Sequence, residues 1–189
     1  MTLFTAQLDT PIGSLLAVLS GENLCGLEFR DSPERCARMM ARVQARFGQA
    51  RAARAPEVRD LAAALDAYFS GEVHGLARVP VLTCGTPFEE RVWAALRTIP
   101  AGETRTYASL GARGEARAVG AANGRNLISL VIPCHRVVPT GGGLGGYGGG
   151  VERKRWLLAH EARFAGRTGS AGGGEARPAT QLALGLEVS

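Results

Sequence analysis

Val131-Ile132-Pro133-Cys134-His135-Arg136-Val137 is the stretch on which the reading of this 189-residue chain turns. It sets a thiol beside an imidazole, behind a proline, at the end of the apolar run Leu127 to Ile132, which reads as a strand. Only a thiolate is a good nucleophile, and a free thiol, with a pKa of roughly 8.5, is mostly protonated at neutral pH. A neighbouring imidazole is the usual means of moving that proton. Downstream, Arg155-Trp156-Leu157-Leu158-Ala159-His160-Glu161 offers a carboxylate on a helix, the third group that holds an imidazole in one tautomer. Taken alone, Cys134 reads more readily as a small buried hydrophobe.

Upstream of this stretch the pattern is helical. Thr86-Pro87-Phe88-Glu89 opens a helix with Thr86 as N-cap, Pro87 at the first helical position and Glu89 completing a capping box. Its apolar stripe is Phe88, Val92, Leu96 and Ile99, and Ile99-Pro100-Ala101-Gly102 stops it. Thr106 caps a short helix from Tyr107 to Ala112, and a second begins near Glu115 with Val119 and Ala122 inward. Two short helices joined by a glycine-containing turn resemble a helix-turn-helix, with Ala116-Arg117-Ala118-Val119-Gly120 on the DNA-reading element. Downstream, eight glycines in the ten residues 141–150 lead into a last helix from Glu152 to about Ala162. The nominal G-x-G-x-x-G at Gly141, Gly143 and Gly146 lacks the lysine and the βαβ register of a nucleotide site.

The first eighty residues show packing signals and no catalytic constellation. Ser14 to Leu19 and Leu24 to Phe29 read as strands across a turn at Gly21-Glu22-Asn23. A helix carrying Cys36, Met40, Val43 and Phe47 on one face follows. An Ala/Arg-rich linker around 49–56 then leads to a helix with Val58, Leu61, Leu65 and Phe69 inward. A boundary falls near 80–86, and the tail after Arg163, rich in Gly, Ser and Ala, is expected to be disordered.

Composition narrows the functional classes. No apolar run approaches the roughly 20 residues of a membrane helix, and Met1-Thr2-Leu3-Phe4-Thr5 lacks the basic and apolar regions of a secretory signal. Cys25, Cys36, Cys84 and Cys134 are far apart with no C-x-x-C pair, which favours a reducing cytoplasm over a disulfide scaffold. The net charge of +5 resides entirely in residues 86–163, with 11 basic against 6 acidic side chains, and all but Lys154 of the chain's 22 basic residues are Arg. A local basic excess is what phosphate binding requires; an arginine-rich solvated face would look the same.

These motifs resemble the O6-alkylguanine-DNA alkyltransferases, or methylated-DNA–protein-cysteine methyltransferases. The similarity covers roughly residues 8–163. It rests on Thr86-Pro87-Phe88, Val92-Trp93, Ile99-Pro100-Ala101-Gly102-Glu103-Thr104, Tyr107, Arg117-Ala118-Val119-Gly120, Asn126, Pro133-Cys134-His135-Arg136-Val137, Gly146-Tyr147-Gly148-Gly149-Gly150 and Leu157-Leu158-Ala159-His160-Glu161. The resemblance implies an α/β N-terminal part over 1–80, with a small antiparallel sheet and helices. It also implies a mainly α C-terminal part over 86–163, holding the helix-turn-helix and the active site, ahead of the tail 164–189. The partner implied is double-stranded DNA containing O6-alkylguanine, met by a monomer with no cofactor and no metal; Cys25, Cys36, His74 and Cys84 do not match the structural zinc set of some relatives.

By the same resemblance Cys134 is the alkyl acceptor, ionised at the mouth of a cleft. His135 acts through a water as its base, Glu161 orients His135, Asn126 holds the turn, and Tyr107 donates to the guanine and presses on the flanking phosphate. Arg117 enters the base stack in place of the flipped nucleotide, with Ala116, Ala118, Gly120 and Asn123 beside it on the DNA. Tyr147, Gly148, Gly149, Val137 and Pro133 line the substrate pocket, the main chain at Cys134 and Val137 facing the base. Three departures stand out: the segment between Tyr107 and Arg117 is a few residues short, Leu127 replaces a common Pro, and Glu89 replaces a frequent Gln near the DNA-facing helix. Two other classes remain open on the residues: a cysteine hydrolase, which would turn over, and a DNA-binding module that recognises without repairing, whose members lack the acceptor cysteine. A shortened helix-turn-helix could also confine activity to free base or single strands.

Overall fold

The computed structural model describes residues 2–52, 55–167, 177 and 178. Three strands open the chain: β1 (Leu3–Leu8), β2 (Leu15–Ser20) and β3 (Asn23–Phe29), paired antiparallel in sequence. Gly21, at φ +57°, turns β2 into β3. α1 (Pro33–Phe47) packs on β3, and the fully buried positions on it are Met39 and Val43, so its face is rotated slightly from the expected stripe through Met40. The expected linker contains a strand instead: β4 (Ala50–Ala52) lies parallel to β1 and completes the sheet order β3-β2-β1-β4. Ala and Arg have weak strand preference, and a neighbouring edge with free backbone groups overrides it. α2 (Ala55–Phe69) buries Leu61, Leu65 and Tyr68, with Phe69 only half-buried.

α3 (Pro87–Arg97) begins with the expected capping box: Thr86 Oγ1 accepts from the Glu89 amide at 3.3 Å, and Glu89 Oε2 accepts from the Thr86 amide at 2.9 Å. Glu89 is buried there and paired with Arg42 at 2.8 Å, so it presents no negative charge to a DNA-facing surface. β5 (Glu103–Thr106) follows. The first helix of the expected pair is a single 3-10 turn, Tyr107–Leu110, capped by Thr106 as read from the sequence. α4 (Ala116–Gly124) buries Val119 and Ala122, and Trp93 Nε1 donates to the Ala122 carbonyl at 2.9 Å to fix α4 on α3.

Residues 127–133 form a buried chain of turns and not the expected strand; among the described residues their only ladder contact is an isolated bridge from Leu27 to Ile128. The cause is Asn126. Its Oδ1 accepts from the Ile128 amide at 3.0 Å, and its Nδ2 donates to the Ile132 carbonyl at 2.8 Å, closing the chain on itself. Leu130 takes a φ of +70°, which breaks any strand and which a branched side chain adopts only under constraint. Cys134–Arg136 is a 3-10 turn, and β6 (Val137–Val138) pairs parallel with β5. α5 (Val151–Phe164) is the last helix, one or two residues longer at each end than expected. Of the tail expected to be disordered, Arg177–Pro178 forms β7, antiparallel to β5, and the remainder beyond residue 167 lies outside the described residues.

One hydrophobic core crosses the boundary expected near 80–86, joining Leu15, Leu27 and Phe29 of the sheet to Trp93, Ile128 and Leu157. The free edge of β3 carries the join: Leu27 N donates to Leu127 O, and Ser129 N donates to Leu27 O, both at 2.8 Å. The reactive turn is therefore bolted to the N-terminal sheet. Replacing Asn126 by Ala removes a buried donor and acceptor and leaves their partners unpaired, so Asn126→Ala should destabilise the protein by about 2–3 kcal/mol, read from urea unfolding at constant slope.

Candidate active site

Cys134 heads the 3-10 turn, its amide donating to Ile132 O at 2.8 Å and its carbonyl accepting from Asn123 Nδ2 at 3.4 Å. Its sulfur accepts from Asn126 Nδ2 at 3.2 Å. The side chain is only 4% exposed, yet it lines a cavity of about 250 Å³. The other walls are Arg35, Tyr107, Gly120, Asn123, Gly124, Gly146, Tyr147 and Gly148. That is slightly smaller than the roughly 300–1,000 Å³ of drug-sized sites and suits one planar ring system.

Behind the sulfur lies a buried charge relay. Glu161, with no exposure, accepts at Oε1 from His135 Nε2 (2.9 Å), Tyr68 Oη (2.8 Å) and Arg136 Nη2 (2.9 Å). Its Oε2 accepts from Arg136 Nε at 2.9 Å and from the Gly102 amide at 3.4 Å. Burial alone would raise the carboxyl, but the guanidinium and imidazole outweigh it and hold Glu161 well below the ordinary carboxylate range. An ionised carboxylate only accepts, so His135 must carry its proton on Nε2. That leaves Nδ1 an unprotonated base with no hydrogen-bond partner among the protein groups.

The titration directions correct one expectation. Burial pushes the Cys134 thiol up, although the Asn126 hydrogen bond and the charges of Arg35 and Lys154 oppose it. Burial lowers His135, with Glu161 opposing. The resting pair is thus a neutral thiol and a neutral imidazole, not the standing thiolate expected from the sequence. Burial also raises Tyr107, which keeps its phenol a proton donor at the cavity wall.

Other predicted residues are placed as follows. Tyr107, Gly120, Tyr147 and Gly148 line the cavity beside Cys134, while Asn126, His135 and Glu161 lie behind it. Arg117 and Ala118 are exposed on α4, and Ala116 is half-buried at its start. Asn123, expected on the DNA-facing surface, turns inward and is 7% exposed, because its amide is needed at the Cys134 carbonyl. Val137 and Pro133 are buried and off the cavity; the Val137 carbonyl, expected to face a base, accepts from Lys154 Nζ at 2.6 Å. Gly149 is also off the cavity wall: a Cβ there would meet Tyr147 at 2.7 Å and Phe29 at 2.8 Å. At Gly148 a Cβ would lie 2.2 Å from the Arg35 guanidinium. These glycines admit the N-terminal side chains that close the loop.

Sequence reasoning missed four contributors. Arg35, on α1, binds Glu28 at 2.7 and 2.9 Å and overhangs the cavity. Glu28 also accepts from Ser129 Oγ at 3.1 Å, tying β3 to the reactive turn. Lys154, buried and with its pKa lowered by that burial to about 8, straps Val137 to the glycine loop. Tyr68 reaches Glu161 from α2. The buried acid Glu28 in an otherwise apolar strand, and the lone lysine of an arginine-rich chain, were the available signals. His160 Nε2 donates to the Tyr68 carbonyl at 2.8 Å, and its ring stacks on Trp156.

A cysteine in the wall of a small cavity, with a buried imidazole–carboxylate pair behind it and an exposed arginine-bearing helix beside it, is the arrangement of a protein suited to moving a group onto cysteine. Residues 87–163 match the family described as 6-O-methylguanine DNA methyltransferase, DNA binding domain. The chain is 40% identical over 166 residues to the methylated-DNA–protein-cysteine methyltransferase of Shigella flexneri, covering 85% of this chain and 96% of that one. It is 43% identical over 162 residues to that of Mycobacterium leprae, covering 82% and 90%. Its fold is similar to the crystal structure of Mycobacterium tuberculosis O6-methylguanine methyltransferase, with TM-score 0.70, 37% identity and 89% and 96% coverage. It is equally similar, at TM-score 0.70 and 38% identity, covering 86% and 94%, to the M. tuberculosis protein in complex with DNA. The chain belongs to the methylated-DNA–protein-cysteine methyltransferase family. Among the described residues no helix is long and apolar enough to cross a membrane, and no group of three or more His, Cys, Asp or Glu could hold a metal ion.

Glu161→Gln removes the charge that Arg136 was buried against, and should cost about 3–5 kcal/mol of stability at pH 7. Because the folded carboxyl sits below its unfolded value of about 4.3, this contribution is complete above that pH and shrinks as pH falls through the folded value. Chemical denaturation of both proteins between pH 3 and 7 checks it: the gap between them should narrow on acidification.

Proposed function

We propose that the protein repairs O6-alkylguanine in duplex DNA by moving the alkyl group onto Cys134 in a single turnover. The carrying observation is the Cys134 sulfur in the wall of a base-sized cavity, backed by an imidazole whose free nitrogen is defined by Glu161. The base inside a duplex is out of reach and must be flipped, at a cost of a few kcal/mol. Arg117, exposed on α4, fills the gap by stacking its planar guanidinium while staying near the phosphates. Ala116, Ala118 and Gly120 allow the duplex to come close.

In the reaction the Cys134 proton passes through a water to His135 Nδ1 as the sulfur attacks the alkyl carbon in line. The S–C bond forms, the C–O6 bond breaks, and the guanine leaves with a ring nitrogen protonated by Tyr107, which recovers the proton from His135 by way of solvent. The net change exchanges the thiol hydrogen for the alkyl group. Starting from a neutral pair keeps a reactive thiolate from persisting in the absence of substrate. The product is a thioether with no group nearby to cleave it, so each molecule acts once, as a monomer in a reducing cytoplasm.

Incubation with an oligonucleotide containing O6-methylguanine should replace one thiol hydrogen by methyl, one equivalent per protein. Intact and peptide mass should place it on Cys134, and Cys134→Ala should gain nothing. Methylation of Cys25, Cys36 or Cys84 would overturn the assignment, and repeated turnover of an ester would favour a hydrolase. Arg117→Ala should slow transfer from duplex by roughly tenfold or more, with free O6-methylguanine affected far less. Since His135 is held below its ordinary pKa of about 6.5, the transfer rate should stay level through neutrality and fall only below that value.

A further inference from the structure

We propose that Tyr68, on α2 in the N-terminal part, is a positioning residue for alkyl transfer that sets how readily His135 takes the Cys134 proton. The inference rests on the reading of His135 as the base. Tyr68 is fully buried, and its phenol can only donate to the Glu161 carboxylate, at 2.8 Å. It shares Oε1 with His135 Nε2 and Arg136 Nη2, so three donors compete for one oxygen. A carboxylate has about four lone-pair sites over both oxygens, and Arg136 Nε and the Gly102 amide take up Oε2. The acid is saturated, and each donor draws off negative charge that would otherwise favour the imidazolium.

The position of Tyr68 makes this a tuning contact and not a strut. Arg136 already neutralises Glu161 and fixes its geometry through two nitrogens. The Tyr68 ring is independently held edge-on to Phe69 and against His160. What the hydroxyl adds is a second, uncharged withdrawal from the oxygen that His135 faces. The other groups around His135 are Arg136 and Lys154, both cationic, with Tyr147 on the cavity side. Arg136 and Lys154 oppose the protonated ring and Glu161 favours it, so any change in the effective charge of Glu161 is read directly by His135. The N-terminal part thereby reaches His135 by way of Glu161.

The experiment is the single-turnover methyl-transfer rate against pH, with the O6-methylguanine oligonucleotide at saturation so that DNA affinity drops out. Tyr68→Phe keeps the ring and removes the donor; the acidic limb should move up by roughly half a pH unit, making transfer about threefold slower on the limb relative to its own plateau. Site-specific 3-fluorotyrosine at position 68, a stronger donor of nearly the same shape, should move the limb the other way. It also keeps the test decisive if Tyr68→Phe folds poorly. Limbs coincident with that of the unaltered protein, or both variants shifted in the same direction, would overturn the proposal. Failure of the unaltered protein to accept methyl would count against the repair reading instead, and the two failures are separable.

Discussion

The Glu161 carboxylate meets the Arg136 guanidinium with both groups buried, and much of the molecule is organised around that pair. Removing both charges from solvent costs several kcal/mol per ion unless the remaining lone pairs and protons are satisfied. Here the donors to the α5 carboxylate come from α2, from Gly102 at the stop of α3 and from the reactive turn. Arg136 also donates to the Ile99 carbonyl at 2.5 Å, so its charge ties the end of α3 to the turn. A buried pair satisfied from so many segments cannot form until those segments are in place. It therefore specifies one arrangement of the C-terminal part more than it stabilises it.

The chemistry inherits this constraint. Burial disfavours charge on Cys134 and on His135 alike, so the two rest neutral and side by side. Glu161, kept ionised by Arg136, fixes the imidazole proton on Nε2 and leaves Nδ1 without a partner among the described protein groups.

The N-terminal part is not a passive appendage to this site. Arg35 overhangs the cavity, Phe29 leaves no room for a side chain at Gly149, and Glu28 holds Ser129 of the reactive turn. Arg153 closes the remaining side, donating to Ile12 O at 2.7 Å and Gly149 O at 2.9 Å while lying over the Phe29 ring. The glycine loop is thus pinned between two parts of the chain. Its flexibility of composition does not translate into freedom of position.

Local chemistry was legible wherever a residue's role is decided by its near neighbours in sequence. The capping box at Thr86, the Thr106 cap, the β2–β3 hairpin, the inward face of α4 and the pairing of His135 with Glu161 all follow from spacing and side-chain type. The apolar run 127–132 misled because hydrophobicity reports burial, not backbone shape, and the Asn126 side chain closes that segment into turns. The segment 50–52 misled in the opposite sense, since its pairing partner β1 lies more than forty residues away. Only the tertiary structure could show that Asn123 turns inward, that the Val137 carbonyl belongs to Lys154, and that Arg35 and Tyr68 reach the site at all. Contacts across such separations depend on how sheet and helices pack. Protonation depends on the same packing: the residues pointed to Cys134 and His135, but burial pushes the thiol up and the imidazole down, against charge on either.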